Sequence, residues 1–282
     1  MISSSGPQSQ TIEINDKKMD NSGLLLALET SGKSASVALG WPDGRLESAE
    51  TDPQIGSART LAPAIATLLK SNLVTANDLA AIAVTVGPGS FTGLRVGVSV
   101  AKSMAYGLKI PLVAVDTLET IALRATSFRS FPTSQDGASN AMFIWTVLDA
   151  YRGQLFAALW RIETEIAGPH SCQVVLPSHL VDLDAWVHSM EKQEARPSSE
   201  THSTEPNQRQ SFILAGPGLV RCKDLLSRNL LNRFSVHPEI APHASMVEVV
   251  GRRRLNLGQT MDAFQLMPVY LRASAAEEKR TI

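Results

Sequence analysis

Two turns in the sequence place a carboxylate where it could do chemistry. Glu29, Thr30 and Ser31 follow the apolar stretch 24–28, and Asp149 follows a second apolar stretch. Carboxylate and hydroxyl oxygens are ligands that Mg²⁺ accepts, so a fold that brought these residues together could hold a metal-bound phosphate. Carboxylates at strand ends also form turns, and the first turn lacks the many glycines of a phosphate-binding hairpin. We therefore expect a vestigial nucleotide site at these four residues, with a working site as the alternative.

A glycine-rich loop with the sequence GPGSFTGLR occupies residues 87–95. It follows a short run of β-branched residues that predicts a buried strand, and Ser90 or Thr92 could cap the helix that comes next. Such a turn has free backbone N–H groups that receive a phosphate or another backbone. The loop is not a Walker A motif, because no Lys-Ser/Thr pair follows its last glycine. Pro88 and Thr92 stand where a nucleophile elbow requires glycine.

The spacing of cysteines and histidines indicates no metal centre. Cys172 and Cys222 are far apart and have no CxxC spacing, so we expect free cysteines in a reducing compartment. The 6 histidines form neither HxxxH nor HExxH, which excludes a metalloprotease-like pair on one helical face. We therefore expect no metal site.

Composition and charge limit the classes of partner. The 282 residues, 44% of them hydrophobic, suffice for two modest domains, and the formal net charge is −1. Without a global basic field, the chain would meet nucleic acid through a local patch or through a partner protein. The basic run Arg252-Arg253-Arg254 is predicted to be a solvated helix end, with a contact to RNA phosphate as the alternative. Residues 1–23 are polar and have no apolar stretch typical of a signal peptide, so we expect a cytoplasmic protein without a membrane span.

The helix predicted over residues 93–108 has more apolar surface than one lobe would need. Its polar residues follow 4-3-4 spacing and form one narrow stripe of Arg95, Ser99, Lys102 and Tyr106. Small residues recur at every fourth position, at Gly93, Gly97, Ala101 and Ala105. A ridge without bulk lets another helix approach closely. We therefore expect this helix to contact its own sheet on one side and a partner on the other.

Two features of the first half of the chain recur in the same order in the second half. A strand ending in an acid, a polar turn and a strand ending in tryptophan occupy residues 27–41 and again 147–160. The strand and Gly-Pro-Gly turn of residues 84–89 recur at 213–218, and each leads into a helix. The ordered pair predicts a duplicated, two-lobed α/β fold.

The repeat also predicts the domain organisation. The expected parts are a disordered tail at 1–23, a first lobe at 24–127, a linker at 128–140, a second lobe at 141–272 and a charged tail at 273–282. Within the second lobe we expect a helix over 178–191 and a polar loop insertion over 192–210. A last strand or extended segment is expected over 265–271.

Four stretches of the sequence resemble the TsaB family, also called YeaZ, which takes part in the synthesis of threonylcarbamoyladenosine in bacterial tRNA. They are LLLALETSGKSASVALG, GPGSFTGLRVGVSVAKSMAYGLKIPLVAVDTLETIA, LDAYRGQLFAALW and the terminal PVYLR. The likeness extends over residues 24–272. It is most specific in the stretch that begins with the glycine-rich loop and looser in the second lobe.

The resemblance implies an actin-like fold of the ASKHA class, related to ribonuclease H, and a non-catalytic role. Members of the family pair with the catalytic paralogue TsaD, a glycoprotease-like (Gcp-like) protein, and recruit the ATPase TsaE. TsaD transfers the threonylcarbamoyl group to the adenosine beside the anticodon, so tRNA is expected to meet this chain only within the complex. The complex uses ATP and Mg²⁺, and no cofactor is expected on this chain itself.

The resemblance also implies a partner interface. In the family, the helices that correspond to residues 57–70 and 92–108 form a helical bundle with the partner. The interface residues implied here are Arg59, Leu61, Ile65 and Leu68 on the first helix and Phe91, Leu94, Arg95, Val98, Lys102 and Tyr106 on the second. A homodimer through the same face is the alternative assembly.

The sequence departs from the family pattern at identifiable positions. Ser57 stands where many members have histidine, and Glu29 stands where many have aspartate. The polar tail and the 192–210 insertion are additions. The HxxxH metal pair of TsaD is absent, which favours the partner over the transferase.

Two further hypotheses belong to other functional classes. The first is an ATP-dependent ASKHA transferase or kinase that uses Glu29 and Asp149 at its own Mg²⁺–nucleotide site. The second is a glycoprotease-type metallopeptidase, which the missing HxxxH pair disfavours. Nucleotide binding and bound zinc would distinguish them from a scaffold.

Overall fold

The first lobe is a five-stranded sheet that carries two helices on its outer face. The structure is a computed structural model that describes residues 23–127, 141–163, 171–194, 212–222, 224–226 and 234–272. The elements of this lobe are β1 Leu24–Glu29, β2 Ser36–Gly40, β3 Leu46–Glu50, α1 Ser57–Ser71, β4 Leu79–Gly87, α2 Phe91–Leu108, β5 Leu112–Asp116 and α3 Thr117–Thr126. The strand order is β3-β2-β1-β4-β5. Strand β2 is antiparallel to both of its neighbours, β1 and β3, whereas β4 is parallel to both of its neighbours, β1 and β5.

The second lobe repeats this arrangement. Its elements are β6 Ala141–Asp149, β7 Gln154–Glu163, β8 Ser171–Asp182, α4 Leu183–Glu194, β9 Phe212–Ala215, α5 Leu219–Cys222, β10 Ser235–His237 and α6 Ala244–Asn256. The strand order is β10-β9-β6-β7-β8, and each strand pairs in the same sense as its counterpart in the first sheet. The prediction of a duplicated, two-lobed α/β fold is therefore confirmed.

Alternate residues of β1 divide between two cores. Leu24, Leu26 and Leu28 pack with α1 and α2 on the outer face of the first sheet, whereas Leu25 and Ala27 belong to a core between the two sheets. All six residues of β1 are buried, because both faces of the strand are covered. This explains why its sequence is a nearly continuous apolar run and does not alternate between apolar and polar residues. The outer face of the second sheet has its own core with α4 and α5.

Helices α3 and α6 lie between the sheets and join the lobes. Helix α3 contacts strands of both sheets, and α6 packs across the first sheet although it follows the strands of the second. The arginines of α6 bind the first lobe: Arg252 donates to the carbonyls of Gly23 and Gly40, and Arg254 donates to the carbonyl of Ala114. The prediction that this basic run is a solvated helix end was therefore wrong for two of its three residues.

The structure moves one predicted boundary in the second lobe. Residues 178–182 end β8, and α4 begins at Leu183 and continues to Glu194, so the expected helix starts too early and the expected insertion includes the last turn of α4. Residues 265–271 form an extended segment that follows a single bridge between Met261 and Leu112. The predicted tail up to residue 22, the linker 128–140, residues 195–210 and the tail 273–282 lie outside the described residues, so the domain boundaries stay predictions.

Candidate functional site

The turn after β1 directs its acid into the protein. Glu29 is 1% exposed, and its Oε1 accepts hydrogen bonds from the backbone N–H and the hydroxyl of Ser31, both at 2.6 Å. Among the described residues no group hydrogen-bonds to Oε2, and burial raises the pKa of the carboxyl although the bonds from Ser31 oppose this. Thr30 and Ser31 are buried as well. Glu29, Thr30 and Ser31 stay predicted members of a vestigial nucleotide site, and their burial disfavours the alternative of a working Mg²⁺ site.

The glycine-rich loop is filled by this same turn. The Ser90 N–H donates to the Ser31 carbonyl at 2.8 Å, and a Cβ on Gly89 would lie 2.6 Å from the Ser31 Cβ. A Cβ on Gly97 would overlap the Thr30 side chain. The sequence left two occupants open for this loop, a phosphate or another backbone, and the structure has the backbone. The first half of the small-residue ridge of α2 therefore packs against the chain's own turn and not against a second helix.

Asp149 is held within the second lobe. Its Oδ1 accepts a hydrogen bond from the Tyr151 N–H at 2.7 Å, and its Oδ2 lies 3.3 Å from Nε of Arg221. The turn that follows passes through Tyr151, Arg152 and Gly153, all with positive φ. Asp149 stays the fourth predicted residue of the vestigial site, and its carboxylate already has partners in its own turn and on α5.

Half of the predicted interface residues are buried in this chain's own core. They are Leu61, Ile65 and Leu68 on α1 and Leu94 and Val98 on α2, each at most 6% exposed. The spacing of these apolar residues correctly predicted that they share one face of each helix. It did not show whether that face packs on the chain's own sheet or on a partner. These five residues are corrected to core positions, because a partner could reach them only if the lobe unfolded.

The other predicted interface residues are accessible on the outer surface. Arg59 and Arg95 are exposed, Tyr106 is 68% exposed, and Phe91 and Lys102 are half-buried. The cap predicted at the start of α2 is present, since the Ser90 hydroxyl accepts a hydrogen bond from the Gly93 N–H at 3.2 Å. These five residues remain predicted contacts.

The outward side of α1 is a row of small side chains. Ala58, Ala62 and Ala66 are exposed and recur every fourth residue, so they lie on one face. An alanine ridge lets a second helix approach closely. We call the exposed side chains of α1 and α2 the α1–α2 face.

The α1–α2 face is strongly basic for a chain of net charge −1. The two helices carry four cationic side chains and no Asp or Glu. Arg59 on α1 and Arg95 on α2 are both exposed. A surface with this charge favours an acidic counterpart.

The C-terminal segment 261–272 lies along α2 and extends this surface. Lys102 Nζ donates to the Leu266 carbonyl at 3.0 Å, and the Val269 N–H donates to the Val86 carbonyl at 2.7 Å. Arg95 Nε donates to the Tyr270 hydroxyl at 3.1 Å, and its guanidinium lies 3.9 Å from the centre of the Phe91 ring. The segment therefore covers part of the polar stripe predicted on α2.

Sequence reasoning missed several residues of this surface. They are Ala58, Ala62, Ala66, Phe264, Met267 and Tyr270, of which Phe264 is 77% and Met267 65% exposed. The four-residue repeat of alanines in α1 was a readable signal. The apolar residues after Met261 gave no such signal in the sequence, because they reach α2 only through contacts between residues that are distant in the chain.

The residues that the structure describes form neither a metal-ligand cluster nor a membrane-spanning helix. Those residues contain no group of three or more His, Cys, Asp or Glu side chains that could hold a metal ion. None of the described helices is long and apolar enough to cross a membrane.

Comparisons with protein families and with curated proteins both find relatives that are named for threonylcarbamoyladenosine formation in tRNA. The family model of TsaD, tRNA N6-adenosine threonylcarbamoyltransferase, matches residues 54–279. The chain is 27% identical to the tRNA threonylcarbamoyladenosine biosynthesis protein TsaB of Bacillus subtilis over 90% of this chain and 96% of that protein. It is 31% identical to the Escherichia coli protein of the same description over 56% of this chain and 64% of that protein.

Comparison with solved structures agrees on the fold. The chain resembles YeaZ from Pseudomonas aeruginosa with a TM-score of 0.65 and 23% identity, over 88% of this chain and 100% of that one. At this identity the likeness bears on the two-lobed architecture alone.

Proposed function

The chain belongs to the TsaD family and, within it, to the TsaB (YeaZ) group, and from this membership we propose that it is the non-catalytic partner subunit of a tRNA threonylcarbamoyladenosine-forming complex. In this proposal it binds a TsaD-class transferase through the α1–α2 face and activates it. The ATPase TsaE and tRNA meet it only in the assembled complex.

The exposed alanine ridge of α1 carries this proposal. Alanines at positions 58, 62 and 66 are exposed, although a helix on the surface of a monomer ordinarily presents long polar side chains there. A flat row of methyl groups suits a partner helix that packs at close range. The adjoining aromatic rings of Tyr106 and Phe264, 5.7 Å apart, add apolar surface at the end of α2.

The charge of the face adds a requirement on the partner. With four cations and no acid on α1 and α2, the partner's helices should present acidic side chains around an apolar centre. Such pairs set register and association rate more than affinity, so complex formation should slow as salt increases.

The closed turn at Glu29 supports a role without catalysis. We propose that the chain binds no nucleotide of its own, since the Glu29 carboxylate is buried and bonded to Ser31. Calorimetry with Mg²⁺–ATP on the isolated chain tests this part. Tight stoichiometric binding would favour the ATP-dependent transferase instead.

The first experiment is co-purification with the TsaD-class transferase from the same genome, followed by a modification assay with and without this chain. We expect a stable complex and activity that needs both proteins. Failure of the wild-type chain to bind would overturn the proposed partnership.

A matched pair of variants tests the face itself. Ala62→Arg places a long charged side chain in the exposed ridge and should weaken binding at least tenfold, while helicity is kept because arginine is a good helix former. Ala185→Arg makes the same change at an exposed alanine of α4 in the second lobe and should bind like the wild type. Equal binding by both variants would show that the partner uses another surface. Val98→Glu is unsuitable, because Val98 is buried and the variant would unfold.

A further inference from the structure

A second polar site lies on the opposite side of the first sheet from α1 and α2. A cavity of about 170 Å³ opens between α3, β8 and α6, so both lobes contribute to its wall. Its lining includes the side chains of Glu119, Cys172, Arg253, Arg254, Leu257 and Gln259. Three charged groups and an amide in one cavity between lobes are more than packing requires.

Two of these charged groups are held by each other. Arg254 donates to Glu119 Oε2 at 2.5 Å and also to the Ala114 carbonyl, and the Glu119 side chain is 8% exposed. Asp116 lies beside this pair, but its oxygens accept hydrogen bonds from the Ser178 hydroxyl at 2.6 Å and the Leu118 N–H at 2.7 Å. The acids near the cavity therefore have partners within the fold.

Arg253 differs from its neighbours. Among the described residues none hydrogen-bonds to its guanidinium or pairs with it, although the side chain is only partly exposed. Its positive charge acts toward the cavity, since it lowers the pKa of Glu119 and of Cys172 against the upward effect of burial. The cavity wall therefore carries two arginines and one glutamate. Arg254 is bonded to that glutamate, whereas the guanidinium N–H groups of Arg253 can donate to a ligand.

The size and charge of the cavity define the class of ligand. At ~30 Å³ for each water, about 170 Å³ holds roughly five or six waters, which is the size of a small organic acid or a phosphate. An arginine fork recognises planar or tetrahedral oxyanions through two parallel N–H···O bonds. We propose that this cavity is a binding site for a small oxyanion, a carboxylate or a phosphate, held by Arg253 with Gln259 as a second donor.

Binding at this position would join the lobes. Cys172 lies on β8 of the second lobe, whereas Glu119 and the arginines pack against the first sheet. An anion that binds there only in the folded chain stabilises it by an amount that grows with the ratio of anion concentration to Kd. The effect is therefore measurable on the isolated chain, without any partner or activity assay.

Thermal unfolding of the isolated full chain tests this proposal. The probes are inorganic phosphate and malonate, each titrated at constant ionic strength with chloride as balance. We expect the unfolding midpoint to rise with the logarithm of the anion concentration above Kd, by about 3 °C at ten times Kd, for at least one of the two anions. The anion that gives the larger rise at equal concentration identifies the ligand chemistry.

Arg253→Gln and Arg59→Gln are the matched variants, because each removes one positive charge and only the first lies in the cavity. The shift should disappear in Arg253→Gln and persist in Arg59→Gln. Equal shifts in all three proteins would indicate a general effect of the salt on apolar burial and would overturn the proposal, as would no shift in the wild type.

A second variant in the cavity keeps the proposal testable if Arg253→Gln fails to fold. Gln259 is exposed, so Gln259→Glu should fold normally and place a carboxylate at the cavity. We expect its Kd for the anion to rise at least tenfold. An unchanged Kd would overturn the assignment of this cavity.

Discussion

Glu29 and Asp149 end equivalent strands of the two lobes but lie in different surroundings. Glu29 is buried against Ser31, whereas Asp149 is partly exposed and close to Arg221. An acidic residue at the same point of a duplicated fold can therefore serve packing in one lobe and a surface turn in the other. Which role it takes depends on what covers the strand end.

Burial of Glu29 predicts an unusual dependence of stability on pH. Its pKa is raised above the ordinary value of 4.5, so the stabilisation due to its neutral form is complete below pH 4.5 and is lost as the pH rises through the folded-state pKa. Glu29→Gln has no such proton. The stability of the wild type relative to this variant should therefore fall by up to ~1.4 kcal/mol for each pH unit in that window.

Urea unfolding at a series of pH values from 4 upward measures this difference. Glu47→Gln, at an exposed position of β3, is the control and should follow the wild type. A constant difference between the wild type and Glu29→Gln across the series would contradict the prediction.

The buried pair of Glu119 and Arg254 predicts a second effect at single residues. Arg254→Leu leaves the Glu119 carboxylate buried without its partner and should lower the free energy of unfolding by about 3–5 kcal/mol. The double variant Glu119→Leu/Arg254→Leu should recover much of this loss, because no buried charge remains. Denaturant unfolding of the three proteins measures the coupling.

An ion pair with a more accessible carboxylate provides the comparison. Arg161 and Glu163 lie 2.5 Å apart with 38% and 26% of their side chains exposed, so Arg161→Leu should cost no more than ~1 kcal/mol. A double variant at 119 and 254 that is less stable than Arg254→Leu would contradict the account of the buried pair.

At the scale of the element, α2 shows two uses of glycine within one helix. Gly97 faces the β1–β2 turn, where an added Cβ would overlap Thr30, whereas Gly107 has nothing within 4 Å. Both lie within Phe91–Leu108 and gain similar helix propensity on replacement by alanine. The two positions differ only in whether an added methyl group would meet another side chain.

Alanine substitutions should therefore have opposite effects at these two positions. Gly97→Ala should cost about 1–3 kcal/mol through overpacking, and Gly107→Ala should stabilise by about 0.5–1 kcal/mol. Chemical denaturation of both variants measures the difference. Stabilisation by both would show that the Thr30 turn moves freely away from α2.

The C-terminal segment and α6 show how elements late in the chain complete the first lobe. Leu266 is fully buried in the core beneath α1 and α2, and α6 covers the other face of the same sheet. The inner cover of the first sheet and one residue of its outer core therefore come from chain that follows the second lobe. Residues beyond 240 complete the packing of residues 23–127 on both faces.

At the scale of the whole molecule, this shared core predicts one cooperative unfolding transition. The core between the sheets includes Leu25 and Val113 of the first lobe with Ile144 and Ile213 of the second. Differential scanning calorimetry should give equal calorimetric and van't Hoff enthalpies, and Ile144→Ala should shift the whole transition downward. Two resolved transitions would contradict a shared core.

The two proposed surfaces lie on opposite faces of the first sheet. The α1–α2 face belongs to its outer layer, and the oxyanion cavity lies beside α3 and α6 on its inner side. A result at one surface therefore leaves the other proposal standing. Variants at positions 62 and 253 probe them separately.

Much of the fold could be predicted from local pattern. The bounds of α1, α2 and α3, the Ser90 cap and the repeat of the β1 and β6 turns all follow from spacing and turn residues. The start of α4 was misplaced, because Leu180 at the end of β8 continues the helical spacing of Leu183, Val187 and Met190 in α4. Burial of the α6 arginines was missed because their carbonyl partners lie more than a hundred residues away in sequence.

The sequence by itself determined the duplicated α/β elements and the family resemblance, because periodicity, caps and glycine turns are local properties. Only the tertiary structure decided which side of each element faces outward. It buried Leu61 and Val98, exposed Ala62, and closed the Glu29 turn against the glycine-rich loop. The reason is that burial depends on which elements stack on one another, and those contacts join residues far apart in the chain.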